Sequence, residues 1–110
     1  MELRTIEGGA GAIPAPAEMT ESLLAEYLGA AARGRTDALF DLGVAFSTGE
    51  HGVECDLIEA HKWFNLAAAK GHDEAACCRA DVADEMTARE IAEAQRRARQ
   101  WLQDTGRKAA

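Results

Sequence analysis

The sequence predicts an all-α protein, a stack of antiparallel helix hairpins of about five helices behind a flexible N-terminal arm. Three observations predict it. The apolar residues are mostly small: 47% of the 110 residues are hydrophobic, yet only 5% are aromatic and 24 are alanine, a composition that favours helices packed at close range. Two capping-box sequences stand immediately before amphipathic runs. A segment also recurs at a displacement of 37 residues, the mark of a repeat architecture. From Thr20 onward nothing alternates as a half-buried strand would.

The arm is residues 1–18. Its run Gly-Gly-Ala-Gly-Ala-Ile-Pro-Ala-Pro-Ala at 8–17 combines backbone freedom with two prolines and has no amphipathic face. The remainder, 19–110, reads as one helical repeat domain with helices at about 20–33, 37–48, 56–70, 73–85 and 88–103. The repeat aligns Gly29-Ala30-Ala31-Ala32-Arg33-Gly34 with Leu66-Ala67-Ala68-Ala69-Lys70-Gly71. In both, an alanine-rich helix end meets a cation that suits the helix dipole and a glycine that accepts the left-handed conformation after it. Helix starts are marked at Asp56-Leu57-Ile58-Glu59 and Thr87-Ala88-Arg89-Glu90, where the first side chain and the Glu satisfy orphan amides. After the first box Ala60, Trp63, Phe64, Ala67 and Ala68 share a face; after the second Ile91, Ala94, Ala98, Trp101 and Leu102 do so. The connections at 34–36, 71–72 and 86–87 are so short that successive helices must turn back. The domain divides into a half-repeat helix (19–34), a full repeat (36–72), a degenerate capping repeat (73–103) and a tail (104–110).

The central segment resembles the Sel-one-like repeat family, longer-period relatives of tetratricopeptide repeats. Ala38, Leu42-Gly43, Phe46, Gly49, Gly52-Val53, Asp56, Ala60, Trp63, Ala67-Ala68 and Gly71 reproduce nearly the whole family pattern in order. Residues 38–71 match strongly and the flanks less well. The resemblance implies a short right-handed α-solenoid. Gly43 and the alanines are expected to allow close helix approach, Phe46 and Trp63 to fill the space between layers, and Gly49 and Gly52 to take positive φ. The loop Gly49-Glu50-His51-Gly52-Val53 is one residue longer than the family's usual form. In the last repeat Leu42, Gly43 and Phe46 give way to Arg79, Ala80 and Ala83, so that unit continues the array poorly and suits a terminal cap.

Nineteen acidic against twelve basic residues, a formal charge of −7, oppose a nucleic-acid role. No apolar run is long enough to insert in a membrane, and no secretory signal stands at the N-terminus, so a cytoplasmic protein is expected. Cys55, Cys77 and Cys78 are odd in number and two are adjacent, which argues for reduced packing residues over a disulfide framework or a metal-binding pair. Gly9-Ala10-Gly11 lacks the strand a dinucleotide motif requires. His51, His61 and His72 are scattered, and neither Ser22 nor Ser47 has a base at motif spacing. The reading therefore expects no enzyme, no cofactor and no metal.

Charge is unevenly distributed. Residues 87–110 hold six basic and three acidic residues, +3, while 1–86 hold six and sixteen, −10. The cations Arg89, Arg96, Arg97 and Arg99 read either as a basic docking patch or, more plainly, as a solvated face with Glu93 pairing to Arg97. On the first helix of the central repeat Asp37, Phe40, Val44, Ser47 and Thr48 form a stripe, with counterparts 37 residues on at Glu74, Cys77, Asp81, Asp84 and Glu85. In the family that this segment resembles, that stripe lines the concave, partner-binding side. The candidate site is therefore Asp37, Phe40, Val44, Glu74, Cys77, Asp81 and Asp84, apolar then acidic, for a protein or peptide partner that is basic or amphipathic. The plainer reading makes Phe40 core and the carboxylates ordinary surface. The alternatives are a structural subunit of a larger complex, a homodimer, and, since some cysteine-rich relatives bind β-lactams, a small-molecule binder, although these cysteines do not follow that scheme.

Overall fold

The computed structural model describes the backbone of residues 16–109 and the side chains of residues 23–50 and 52–106. The chain there is all helical: α1 (Pro16–Ala32), α2 (Thr36–Thr48), a 3-10 turn at Glu50–Gly52, α3 (Leu57–Ala69), α4 (Asp73–Ala83) and α5 (Ala88–Ala109). No strand occurs among the described residues. Most of the expected arm, 1–15, lies outside them. Its last three residues instead open α1, where the fixed φ of Pro16 suits a first helical position. The tail expected from 104 is corrected to helix, because α5 runs on to Ala109. There Gln100 donates to Asp104 at 3.0 Å and the Thr105 hydroxyl donates to the Trp101 carbonyl at 2.8 Å, tying the extra turns to an anchored tryptophan.

Gly34 and Gly71, the two glycines aligned by the repeat, both take positive φ, 85° and 95°, so the recurrence in sequence is a recurrence of helix stops. Starts are sorted more finely. At Thr87 the capping box is complete: the Glu90 N–H donates to Thr87 Oγ1 at 3.1 Å, and the Thr87 N–H donates to Glu90 Oε1 at 2.8 Å. At Asp56 only half of it forms. The Glu59 N–H donates to Asp56 Oδ1 at 3.2 Å, but the Glu59 carboxylate is drawn to Lys62 Nζ at 3.0 Å and Arg97 Nη1 at 2.8 Å. Two cations outcompete one backbone amide for it.

Helix α3 lies at the centre, with α2, α4 and α5 each packed on it, and Ala60, His61, Trp63, Phe64, Leu66 and Ala67 are buried along it. Trp63 and Phe64, about 100° apart around the helix, enter different interfaces. Trp63 meets Trp101 of α5 edge to face, ring centroids 4.8 Å apart. Phe64 runs beneath α2 at Gly43, where an added Cβ would stand 2.5 Å from its Cδ1 and Cε1. The pairs Glu59–Arg97 and Trp63–Trp101 each span 38 residues, which sets α3 and α5 parallel and in step. Helices α4 and α5 do not approach one another as closely; each is held by α3. The α4 helix offers few buried side chains of its own, Ala75 and Val82.

Gly43→Ala is expected to cost about 1–3 kcal/mol of stability by forcing Phe64 or α2 to shift, read as a lower denaturant midpoint. A second expectation concerns His61, 4% exposed with no hydrogen-bond partner for Nδ1. Burial, with the Arg79 charge adding to it, lowers its pKa below the ordinary 6.5. The unfolded chain then takes up a proton that the folded one resists, so this contribution is complete above the unfolded pKa. It falls away as pH drops from there toward the folded value. Urea midpoints at about pH 7.5 and 5.5 should differ less in His61→Leu than in the parent.

Candidate interaction cleft

Side by side over α3, helices α2 and α4 bound a cleft of about 310 Å³. Phe40 and Val44 of α2, Phe64 from α3 beneath and Val82 of α4 make its apolar floor, while Ser47, Thr48, Glu74, Cys78 and Asp81 form its rim. None of these lining residues is a cation. Phe40 is held between two rings: it stacks on His72 at 4.4 Å between centroids and tilts against Phe64 at 5.7 Å. His72 in turn caps α4, its Nδ1 accepting the Ala75 N–H at 3.0 Å. One histidine therefore both starts α4 and fixes the aromatic wall of the cleft.

Of the expected site residues, Phe40, Val44, Glu74 and Asp81 come together here. Asp37 does not; it borders a separate shallow hollow between α1 and α2 with Glu26, Tyr27 and Arg35. Cys77 is exposed and absent from the lining, and its neighbour Cys78 takes the place expected of it. Asp84 is exposed at the end of α4. The register explains the Cys77 correction. The contacts between α3 and α5 run at 38 residues, not the 37 of the alanine-rich repeat, and the same step from Phe40 on α2 reaches Cys78 on α4, which lines the cleft, rather than Cys77. Phe64 and Val82 line the cleft without being among the expected site residues, and His72 stands behind Phe40. Their signal was Phe64 on the buried face and His72 just ahead of an acidic helix start, a position more often held by Ser, Thr, Asp or Asn.

Cys78 carries the electrostatic signature of the rim. Burial first, and then the charges of Glu74 and Asp81, push its thiol above the ordinary value, so it is a poor nucleophile. Among the described residues no group of three or more His, Cys, Asp or Glu could hold a metal ion, and no helix is long and apolar enough to cross a membrane.

The cations of α5 are divided. Glu93 accepts from Arg96 and Arg97, each at 2.7 Å, and Arg97 also reaches Glu59 at 2.8 Å. Hydrogen bonds from Arg96 and Arg97 lower the Glu93 pKa to about 2. For Glu59, burial works to raise the pKa, but hydrogen bonds from Arg97 and Lys62, with their charges, outweigh it and leave it lowered. Lys62 Nζ lies 4.1 Å from the centroid of the Trp63 ring. A second cleft of about 280 Å³, floored by Leu39 and Leu66, opens where the ends of α1 and α3 meet α5, with Leu102 and Lys70 at its edge.

No protein-family model, curated protein or solved structure matches the chain.

The rim predicts an order of thiol reactivity. In single-cysteine variants, Cys78 should label several-fold more slowly with iodoacetamide near neutral pH than the exposed Cys77. Glu74→Gln should speed labelling of Cys78, because removing a nearby anion eases thiolate formation; mass spectrometry of the intact protein reads both rates.

Proposed function

We propose that this chain is a protein-interaction adaptor that does no chemistry itself and captures a basic or amphipathic segment in the cleft between α2 and α4. The observation that carries this reading is the cleft's build: an apolar floor with two carboxylates, Glu74 and Asp81, and no lining cation. Apolar anchors supply most of the affinity of such a site, and the acids steer and orient the incoming segment. In this reading the helices form a short right-handed α-solenoid of the Sel-one-like type that residues 38–71 resemble. The 38-residue step between α3 and α5, close to the 37-residue repeat, and the matching turns at Gly34 and Gly71 support it. An array that places first helices side by side presents a continuous groove for a partner.

A fluorescein-labelled amphipathic helix bearing leucines and lysines, followed by anisotropy at low salt, tests the proposal. Glu74→Lys with Asp81→Lys should weaken its capture by about tenfold or more, since like charges then face each other across the rim. Unchanged circular dichroism would show the fold intact. Equal affinity of parent and variant would end the reading.

A further inference from the structure

We infer that the segment fitting this cleft is α5 of a second copy of the same chain, presented through Leu102 and Arg99. The inference rests on the cleft reading above and adds the identity of the occupant. The cleft calls for an apolar side chain flanked by cations. Leu102, 53% exposed, is the one large hydrophobic side chain standing out to solvent among the described residues. Arg99, also exposed, lies three residues before it and so on a neighbouring part of the same helix surface. Arg96 and Arg97 are engaged by Glu93 and Glu59. Arg99 makes no ion pair among the described residues, and its charge is available to a partner.

The charge distribution makes the match complementary at long range as well as at contact. The described part of α5 carries Arg89, Arg96, Arg97 and Arg99 against Glu90, Glu93 and Asp104, whereas α2 and α4 carry Asp37, Asp41, Asp73, Glu74 and Asp81 against Arg79 alone, so the α5 surface of one copy is drawn to the α2–α4 face of another. Within one copy the contact cannot form. Trp101 against Trp63 and Arg97 against Glu59 hold α5 along α3, and Leu102 edges the other cleft, beside Leu66 and the end of α1. The two matching patches are different surfaces of one chain, so every copy both offers a helix and accepts one, reciprocally in a closed dimer or head to tail in an open array.

Sedimentation velocity over a concentration series reads the outcome on the full chain. At low salt the mean mass should rise above the monomer with concentration, and it should return to the monomer in about 1 M salt, where the screening length is about 3 Å. Arg99→Glu alone and Asp81→Arg alone should each weaken self-association by about tenfold. An equimolar mixture of the two variants should recover it, because Arg99 of the Asp81→Arg copy meets the intact Asp81 of the Arg99→Glu copy, while in the opposite pairing the introduced carboxylate meets the introduced guanidinium. A parent that stays monomeric, or association unaffected by either reversal, would overturn the inference. If the labelled peptide of the preceding test still binds a monomeric parent, the cleft reading stands and only the identity of the occupant falls; if neither binds, both fall.

Discussion

The architecture depends on the enclosure of α3. Two consecutive large side chains, Trp63 and Phe64, leave that helix in different directions and are each nearly fully buried, one against Trp101 and one beneath Gly43. Full burial of such a side chain contributes on the order of 2–3 kcal/mol. In a domain with few aromatic residues, placing both on one helix makes that helix the common partner of its neighbours. Gly43 is what lets α2 come down on Phe64, and the alanines Ala94 and Ala98, buried on α5, do the equivalent on the other side.

That arrangement has a consequence for the surface. Both α4 and α5 pack chiefly on α3, and α4 lies beside α2 with a cleft between them. His72 joins the two ends of this geometry. It caps α4 through Nδ1 and stacks on Phe40, so the start of one helix and the wall of the cleft are set by a single ring. The floor is then shared with the core: Phe64, which seats α2, also closes the cleft from below.

Electrostatics divides along the same line. Around α3 and the first half of α5, the charges Glu59, Lys62, Glu93, Arg96 and Arg97 pair in a connected network. Exposed pairs of this kind add little stability individually, though a network anchored at the half-buried Glu59 orients α5 along α3. Across the molecule Glu74 and Asp81 stand at the rim with no lining cation. None of the cations of that network lines the cleft, whose acidic character is a local property.

Much of the fold was legible in the residues themselves. Helical type, the number of helices, the stops at Gly34 and Gly71 and the start at Thr87 follow from local rules, since capping and glycine conformation involve residues only a few positions apart. Phe40, Val44, Glu74 and Asp81 were also legible as one site, because helices displaced by a repeat bring equivalent positions together. What the sequence could not decide depended on long-range contacts. Glu59 abandons half of its capping box for Arg97, 38 residues away; Cys78 replaces Cys77 because the packing step differs by one residue from the repeat; and α5 extends past 103 because its anchor, Trp101, is seated on α3. Local chemistry determined the helix stops at Gly34 and Gly71 and the start at Thr87, whereas the competition among distant partners for one carboxylate, one ring or one register was decided only when the helices packed.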